Sequence, residues 1–226
     1  MIELTNVTLT RQADALPIEL LGENITIVGA GAVGSFVTLA LTKMGFQNVT
    51  VYDFDKVDTE NLNAQCYRWS DVGRPKVDAL KDVIKQFANV DINAKNQKYE
   101  HGTFPGIVIS AVDSMAVRKL LWENHKECSP HTKIFIDGRM AIEFAMCYAM
   151  NPMSEKDIAS YEKTLYSDDD AVQERCTNKA ISFTSMLLGG FIAKVVKDFL
   201  TKTVPYSRVT QWSIKDNKQE CYPVKQ

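Results

Sequence analysis

No two of the five cysteines are spaced Cys-x-x-Cys. Cys66, Cys128, Cys147, Cys176 and Cys221 are scattered and odd in number, which argues against a four-cysteine zinc site and against a disulfide framework. Reduced thiols in a cytoplasmic protein fit the pattern better. The chain also lacks a strong charge of either sign. A formal −2 over 226 residues gives no basis for nucleic-acid or general membrane binding. Long apolar runs are missing too. The longest, Ile181–Ala193, is interrupted by Ser182, Thr184 and Ser185 and stopped by Lys194, short of the roughly 20 residues a membrane span needs. Met1–Gln12 mixes polar and apolar residues and does not read as a signal peptide. There is no internal repeat and no low-complexity tract.

What is present is an alternation of short apolar runs and segments of helical period. Ile25–Val28, Val49–Tyr52, Ile107–Ser110 and Ile134–Ile136 read as strands, with Glu143–Met150 and Arg208–Ile214 as further ones. Val33–Met44, Val77–Phe87, Met115–Asn124 and Lys179–Thr203 read as helices. The alternation predicts an α/β fold, a doubly wound and mostly parallel sheet of Rossmann-like form. The length suits a single domain over residues 1–226. Within it, 1–22 forms an N-terminal extension and 179–214 a C-terminal helix and strand. Residues 153–177 are polar, carry Asp168-Asp169-Asp170 and show no clear period, so they read as a long crossover loop. Gly189-Gly190 inside the last helix suggests close packing against a helix or a partner subunit. The segment after Ile214 has no assignable motif.

Chemistry concentrates between Asn24 and Lys76. Gly29-x-Gly31-x-x-Gly34 lies where a strand turns into a helix. Gly29 permits the tight turn, Gly31 lets phosphate approach the backbone, and Gly34 lets helix and strand pack closely. The free N–H groups of the helix start would then face anionic oxygens. Asp53 ends the second strand about twenty residues on, where an acid accepts hydrogen bonds from ribose hydroxyls. Asp55 either touches the ligand or supports the loop. Asn61, Asn63 and Gln65 add amide groups. Lys76 adds a point charge at a helix start, suited to phosphate oxygens. Asp113 follows the third strand at the carboxyl edge of the sheet, where it would either hold Mg²⁺ or cap the next helix.

Gly29-x-Gly31-x-x-Gly34, Asp53-Phe-Asp55, Asn61-Leu-Asn63-x-Gln65 and Gly73-x-Pro-Lys76, in this order, resemble the ThiF/MoeB/HesA group of adenylating enzymes, which activate ubiquitin-like proteins. The resemblance runs from about Glu23 to Phe199 and is strongest from Ile25 to Asp113. It implies ATP and Mg²⁺ as cofactors, and a ubiquitin-like or sulfur-carrier protein as partner. The C-terminal glycine of that partner would be adenylated. It assigns Gly29, Gly31, Gly34, Asp53, Asn61, Gln65 and Lys76 to the nucleotide and Asp113 to Mg²⁺. Arg11-Gln12 is similar to an Arg-Gln pair that, in dimeric members, reaches the neighbouring active site, so a homodimer is expected. Cys176, in Arg175-Cys176-Thr177, is similar to the position where thioester-forming members carry their nucleophile, and a neighbouring Arg and helix start favour its thiolate.

One departure stands out. The family usually reads Asn-Leu-x-Arg-Gln, and Ala64 occupies the place of that Arg. Arg68 or Arg74 supplies the charge instead, or nucleotide is bound but turned over poorly, or Ala64 is an engineered substitution. Two alternatives stay open: a catalytically weak module that holds a ubiquitin-fold partner, and an NAD-dependent dehydrogenase. Against the latter, His101, His125 and His131 all lie in polar, loop-like contexts.

Overall fold

The computed structural model describes residues 9–126, 131–166, 180–203 and 207–223. Eight strands form one sheet: β1 (Ile25–Val28), β2 (Val49–Tyr52), β3 (Asn93–Lys95), β4 (Gly106–Ser110), β5 (Thr132–Met140), β6 (Phe144–Met150), β7 (Arg208–Ser213) and β8 (Lys218–Pro223). Their order is β3-β2-β1-β4-β5-β6-β7-β8. The β3–β5 half is parallel, and β6, β7 and β8 continue it antiparallel. The α/β fold is therefore mostly parallel and Rossmann-like at its centre. The order reverses at β1, between β2 and β4. In open α/β sheets ligands bind in the crevice at the carboxyl ends of the strands beside such a reversal.

Helices cover both faces, as the apolar pattern requires. Residues of α1 (Ala32–Lys43), α2 (Lys76–Ala88) and α5 (Ser182–Thr201) share one core with Ile25, Ile27, Ile107 and Ile109. On the other face α3 (Met115–His125) and α4 (Glu155–Glu162) bring Leu121, Trp122 and Tyr161 against Val28, Val108 and Phe135. β1 and β4 are buried along their full lengths, which explains why they read as continuous apolar runs. The described helices include none long and apolar enough to cross a membrane.

Several expectations are corrected. Part of 153–177 is not loop, because α4 forms there. Ser154 caps it, accepting a hydrogen bond from the Asp157 backbone N–H at 3.3 Å, while Asp157 accepts from the Asn151 N–H at 2.7 Å. Ser154-x-x-Asp157 is a capping motif legible in the chain, and burial of Tyr161 anchors the helix. The close packing expected at Gly189 is against a helix, the first of its two alternatives: a Cβ there would sit 2.7 Å from Cβ of Phe36 on α1. A Cβ on Gly190 would meet nothing within 4 Å. His125 is not in a loop context but fully buried at the end of α3. Its Nε2 accepts from the Phe104 N–H at 3.1 Å, so its Nδ1–H donates to the Leu121 carbonyl at 2.6 Å. The segment after Ile214 forms β8, paired along β7 through a turn in which Asn217 takes φ 52°.

Candidate functional site

The glycine loop is shaped by two close approaches and one open position. Gly29 has φ 98°, and a Cβ on it would lie 2.4 Å from the Ala111 carbonyl oxygen behind β4. A Cβ on Gly34 would lie 1.8 Å from the Gly29 carbonyl oxygen. No side chain fits at either place. At Gly31 a Cβ would meet nothing within 4 Å. Gly31 is the N-cap of α1 and offers no side-chain cap, so the backbone at the helix start is open to approach at this position and its first-turn N–H groups have no capping side chain.

Asp53, at the end of β2, braces this loop. Its Oδ2 accepts the Ala30 N–H at 2.6 Å and its Oδ1 the Asp55 N–H at 2.8 Å. A carboxylate has about four acceptor sites, so two remain for a ligand's hydroxyls. Tyr67 adds a second brace by donating to the Ala30 carbonyl at 2.6 Å. Burial, and then the charge of Asp53, push its hydroxyl well above the usual range, so it stays a donor.

A strap carries Lys76 to the same edge. Lys56 bridges Pro75, the Val57 N–H donates to the Arg74 carbonyl, and the Gly73 N–H donates to the Val57 carbonyl. The Lys76 N–H donates to the Asp55 carbonyl at 2.8 Å, and Lys76 Nζ pairs with Asp55 Oδ2 at 2.9 Å. The Lys76 side chain is 9% exposed and that of Asp55 51%. Glycine loop, Asp53, Asp55 and Lys76 are thus one hydrogen-bonded unit.

The amide-rich stretch lies between them in sequence. Asn61 ends a short 3-10 turn capped by Asp58, and Asn63 is exposed. Gln65 Oε1 is buried without a hydrogen-bond partner, as is Ser110 Oγ at the end of β4. Unsatisfied buried oxygens of this kind call for a partner. Ala64 is buried, at 3% exposure. Arg68 and Arg74, the candidate replacements for a cation at Ala64, are both committed to Asp71. Arg68 Nε and Arg74 Nη1 each lie 2.9 Å from its carboxylate, and Arg74 Nη2 also pairs with Asp82 at 2.6 Å. Burial works against the Asp71 charge, but the hydrogen bonds from Arg68 outweigh it and hold the carboxyl below its usual range.

Asp113 is exposed, three residues past the end of β4. It does not cap α3. Ser114 does, accepting from the Val117 N–H at 3.4 Å. The described residues hold no cluster of three or more His, Cys, Asp or Glu suited to a metal. Arg11 is not brought to this edge. Its neighbour Gln12 donates to the Met44 carbonyl at 2.6 Å, just past the far end of α1, and the helix is about 18 Å long. Cys176, with Arg175 and Cys128, falls outside the described residues. Cys66 is half-buried and Cys147 fully buried, and burial pushes both thiols up.

The sequence matches the model of the ThiF family over residues 12–225. The chain belongs to the ThiF family. The dehydrogenase alternative falls with that assignment. Among curated relatives, tRNA threonylcarbamoyladenosine dehydratase 2 of Saccharomyces cerevisiae is 36% identical over 88 residues, covering 34% of this chain and 20% of that protein. The NEDD8-activating enzyme E1 catalytic subunit of Arabidopsis thaliana is 32% identical over 104 residues, covering 43% and 23%. This chain thus spans under a quarter of either relative. Among solved structures, MccB of E. coli superposes with a TM-score of 0.76 at 14% identity, covering 98% of this ThiF-family chain and 70% of MccB. MccB has also been solved with AMPCPP and MccA together. PaaA superposes at 0.70 and 17% identity, covering 91% of this chain and 65% of PaaA.

Proposed function

We propose that this ThiF-family chain binds ATP at the carboxyl edge of β1, β2 and β4 and adenylates the C-terminal carboxylate of a small protein or peptide. The observation that carries the proposal is the hydrogen-bonded unit joining the glycine loop, Asp53, Asp55 and Lys76. It sets an anion cradle, a ribose acceptor and a buried-stem cation along one edge. Gly31 leaves room for phosphate, and Asn61, Asn63 and Gln65 offer amides to the triphosphate. The substrate carboxylate attacks the α-phosphorus, the bond to the β-phosphate breaks, and pyrophosphate leaves. Lys76 stabilises the charge that develops.

Asp113 fits a Mg²⁺ ion, since Mg²⁺ is commonly held by one or two carboxylates plus phosphates and water. When bound, the ion neutralises phosphate oxygens. The partner in this reading is a ubiquitin-like or sulfur-carrier protein. Arg11, far from its own glycine loop, would serve the site of a second copy in a homodimer. Cys176 would accept the acyl group as a thioester. Free thiols at Cys66, Cys147 and Cys221 accord with a cytoplasmic setting.

Intact-mass spectrometry after mixing with ATP, Mg²⁺ and a small partner from the same genome tests the proposal. The expected result is an AMP-mass increase on the partner, or a thiol-sensitive adduct lost in Cys176→Ala. One observation favours a second reading, a weakly catalytic binding module: Ala64 has replaced the expected cation, and Arg68 and Arg74 are held by Asp71. That module would bind partner and nucleotide without either mass change.

A further inference from the structure

Beyond the nucleotide edge, β5 runs past its neighbour. Ser110, the last residue of β4, pairs with Asp137, and β5 continues to Met140. Here lies an open pocket of about 380 Å³. Its walls include Arg139, Phe144, Met146, Tyr148, Thr164 and Tyr166. The volume is at the small end of ligand pockets, enough for one or two side chains.

The pocket is rigid on its inner side. Arg139 donates from Nε to Asp137 at 2.6 Å, from Nη1 to the Thr164 carbonyl at 3.0 Å and from Nη2 to Thr164 Oγ1 at 3.0 Å. Its Cζ lies 4.4 Å from the Tyr148 ring centroid. These bonds use three of the five guanidinium N–H groups and the Tyr161 hydroxyl accepts from Arg139 as well, which leaves one for a guest. Asp137, fully buried, also binds Arg118 Nε at 2.8 Å and the Tyr161 hydroxyl at 2.9 Å. Arg118 in turn donates to the Val112 carbonyl, the residue before Asp113. One chain of bonds therefore ties the pocket to the loop that carries Asp113.

Geometry sets the reach. The pocket begins one strand over from β4 and about two residues beyond its end, on the order of 8–10 Å from the nucleotide edge. An extended peptide advances about 3.3 Å per residue, so a chain presenting its C-terminal carboxylate to the α-phosphorus would pass the pocket two or three residues earlier. The lining suits a large apolar or aromatic side chain: Met146 stands with Phe144, Tyr148 and Tyr166 around a cation.

We propose that this pocket reads the substrate's tail, taking a bulky apolar or aromatic side chain at the second or third residue from the C-terminus, with Arg139 donating to the adjoining backbone carbonyl. The inference rests on the adenylation reading above and narrows its substrate class. A tail of small residues alone would leave the pocket empty.

The test uses the full chain with ATP, Mg²⁺, hydroxylamine and a pool of synthetic octapeptides randomised at their last four positions. Adenylated peptides are captured as hydroxamates: the hydroxylamine nitrogen attacks the acyl carbon and AMP leaves. Sequencing the hydroxamates by mass spectrometry should give about tenfold or greater selection for Phe, Tyr, Trp, Leu or Met at one of those two positions, as apolar pockets discriminate in this range. Phe144→Ala and Tyr166→Ala remove exposed walls without touching the core, and each should erase most of the selection while hydroxamates still form. Hydroxamates without selection at either position would overturn the pocket assignment and leave adenylation standing. No hydroxamate from the pool would count against adenylation of a peptide C-terminus, and the pocket assignment would fall with it.

Discussion

Lys76 Nζ rests 2.9 Å from the carboxylate of Asp55, and the Lys76 N–H is bonded to the Asp55 carbonyl. The site's cation is neutralised by its own strap. Lys76→Ala should lower ATP–pyrophosphate exchange by about 10²–10³-fold, the scale seen when one charge-stabilising donor is removed. Asp55→Asn frees the ammonium and removes a repulsive charge, so AMPCPP should bind tighter in calorimetry. Weaker binding would mean that Asp55 itself contacts the nucleotide.

The glycines separate packing from ligand access. Gly34→Ala drives a Cβ into the Gly29 carbonyl and should destabilise the fold by at least about 1–3 kcal/mol. Gly31→Ala meets nothing within 4 Å. Its Tm should stay close to that of the parent while nucleotide affinity drops. Thermal melts with and without AMPCPP measure both, and equal losses of stability would refute the division.

Ala64→Arg should accelerate adenylation, by up to the order of 10³-fold if the added cation reaches the phosphates as an arginine finger does. Arg74→Ala should leave exchange nearly unchanged, because its guanidinium serves Asp71 and Asp82. A collapse of exchange in Arg74→Ala would show that this arginine reorients onto nucleotide. Both variants are read by pyrophosphate exchange in the presence of partner.

His125 makes stability depend on pH. Burial lowers its pKa, against a smaller opposing effect from the Leu121 carbonyl. The folded state holds the ring neutral, and protonation would set an Nε2–H against the Phe104 N–H. The contribution is complete above the unfolded value of about 6.5 and is lost as pH falls through the lower folded value. Urea midpoints should therefore decline from pH 7 toward pH 5, and His125→Gln should flatten that decline. A parallel decline in the variant would place the effect elsewhere.

Asp137 bridges Arg118 and Arg139 with its two carboxylate oxygens. Asp137→Ala strips the carboxylate from the buried Arg118 and the half-buried Arg139 and should cost about 3–5 kcal/mol in urea unfolding. Arg139→Lys keeps the charge but loses the planar fork that Thr164 accepts, and should cost less.

Most of the parallel sheet is legible in the chain. β1 and β4 match their apolar runs because both faces of these strands are buried, which leaves no polar alternation to confuse them, and β2 matches with Val49 and Val51 buried and Thr50 and Tyr52 half-buried. β3 and β8 were not legible. Asn93–Lys95 and Lys218–Pro223 are polar edge strands whose pairing comes from neighbours, not from composition. α4 was hidden in a polar stretch, with only Ser154-x-x-Asp157 to mark its start. The site divides in the same way. Glycines, acids and amides are visible by residue type and spacing, while the commitment of Arg68 and Arg74 to Asp71 is not.

The order of motifs along the chain determined the family, the fold class and the edge of the sheet at which chemistry gathers. These follow from local rules: glycine where backbone must approach backbone, apolar residues where strands are covered twice, a lysine at a helix start. Only the tertiary structure decided which charges are available and where a pocket opens. Asp55 claims Lys76, Asp71 claims two arginines, and Asp137 joins Arg118 to Arg139, because pairing depends on which side chains the folded backbone brings within 3 Å. Distance in sequence carries no record of that.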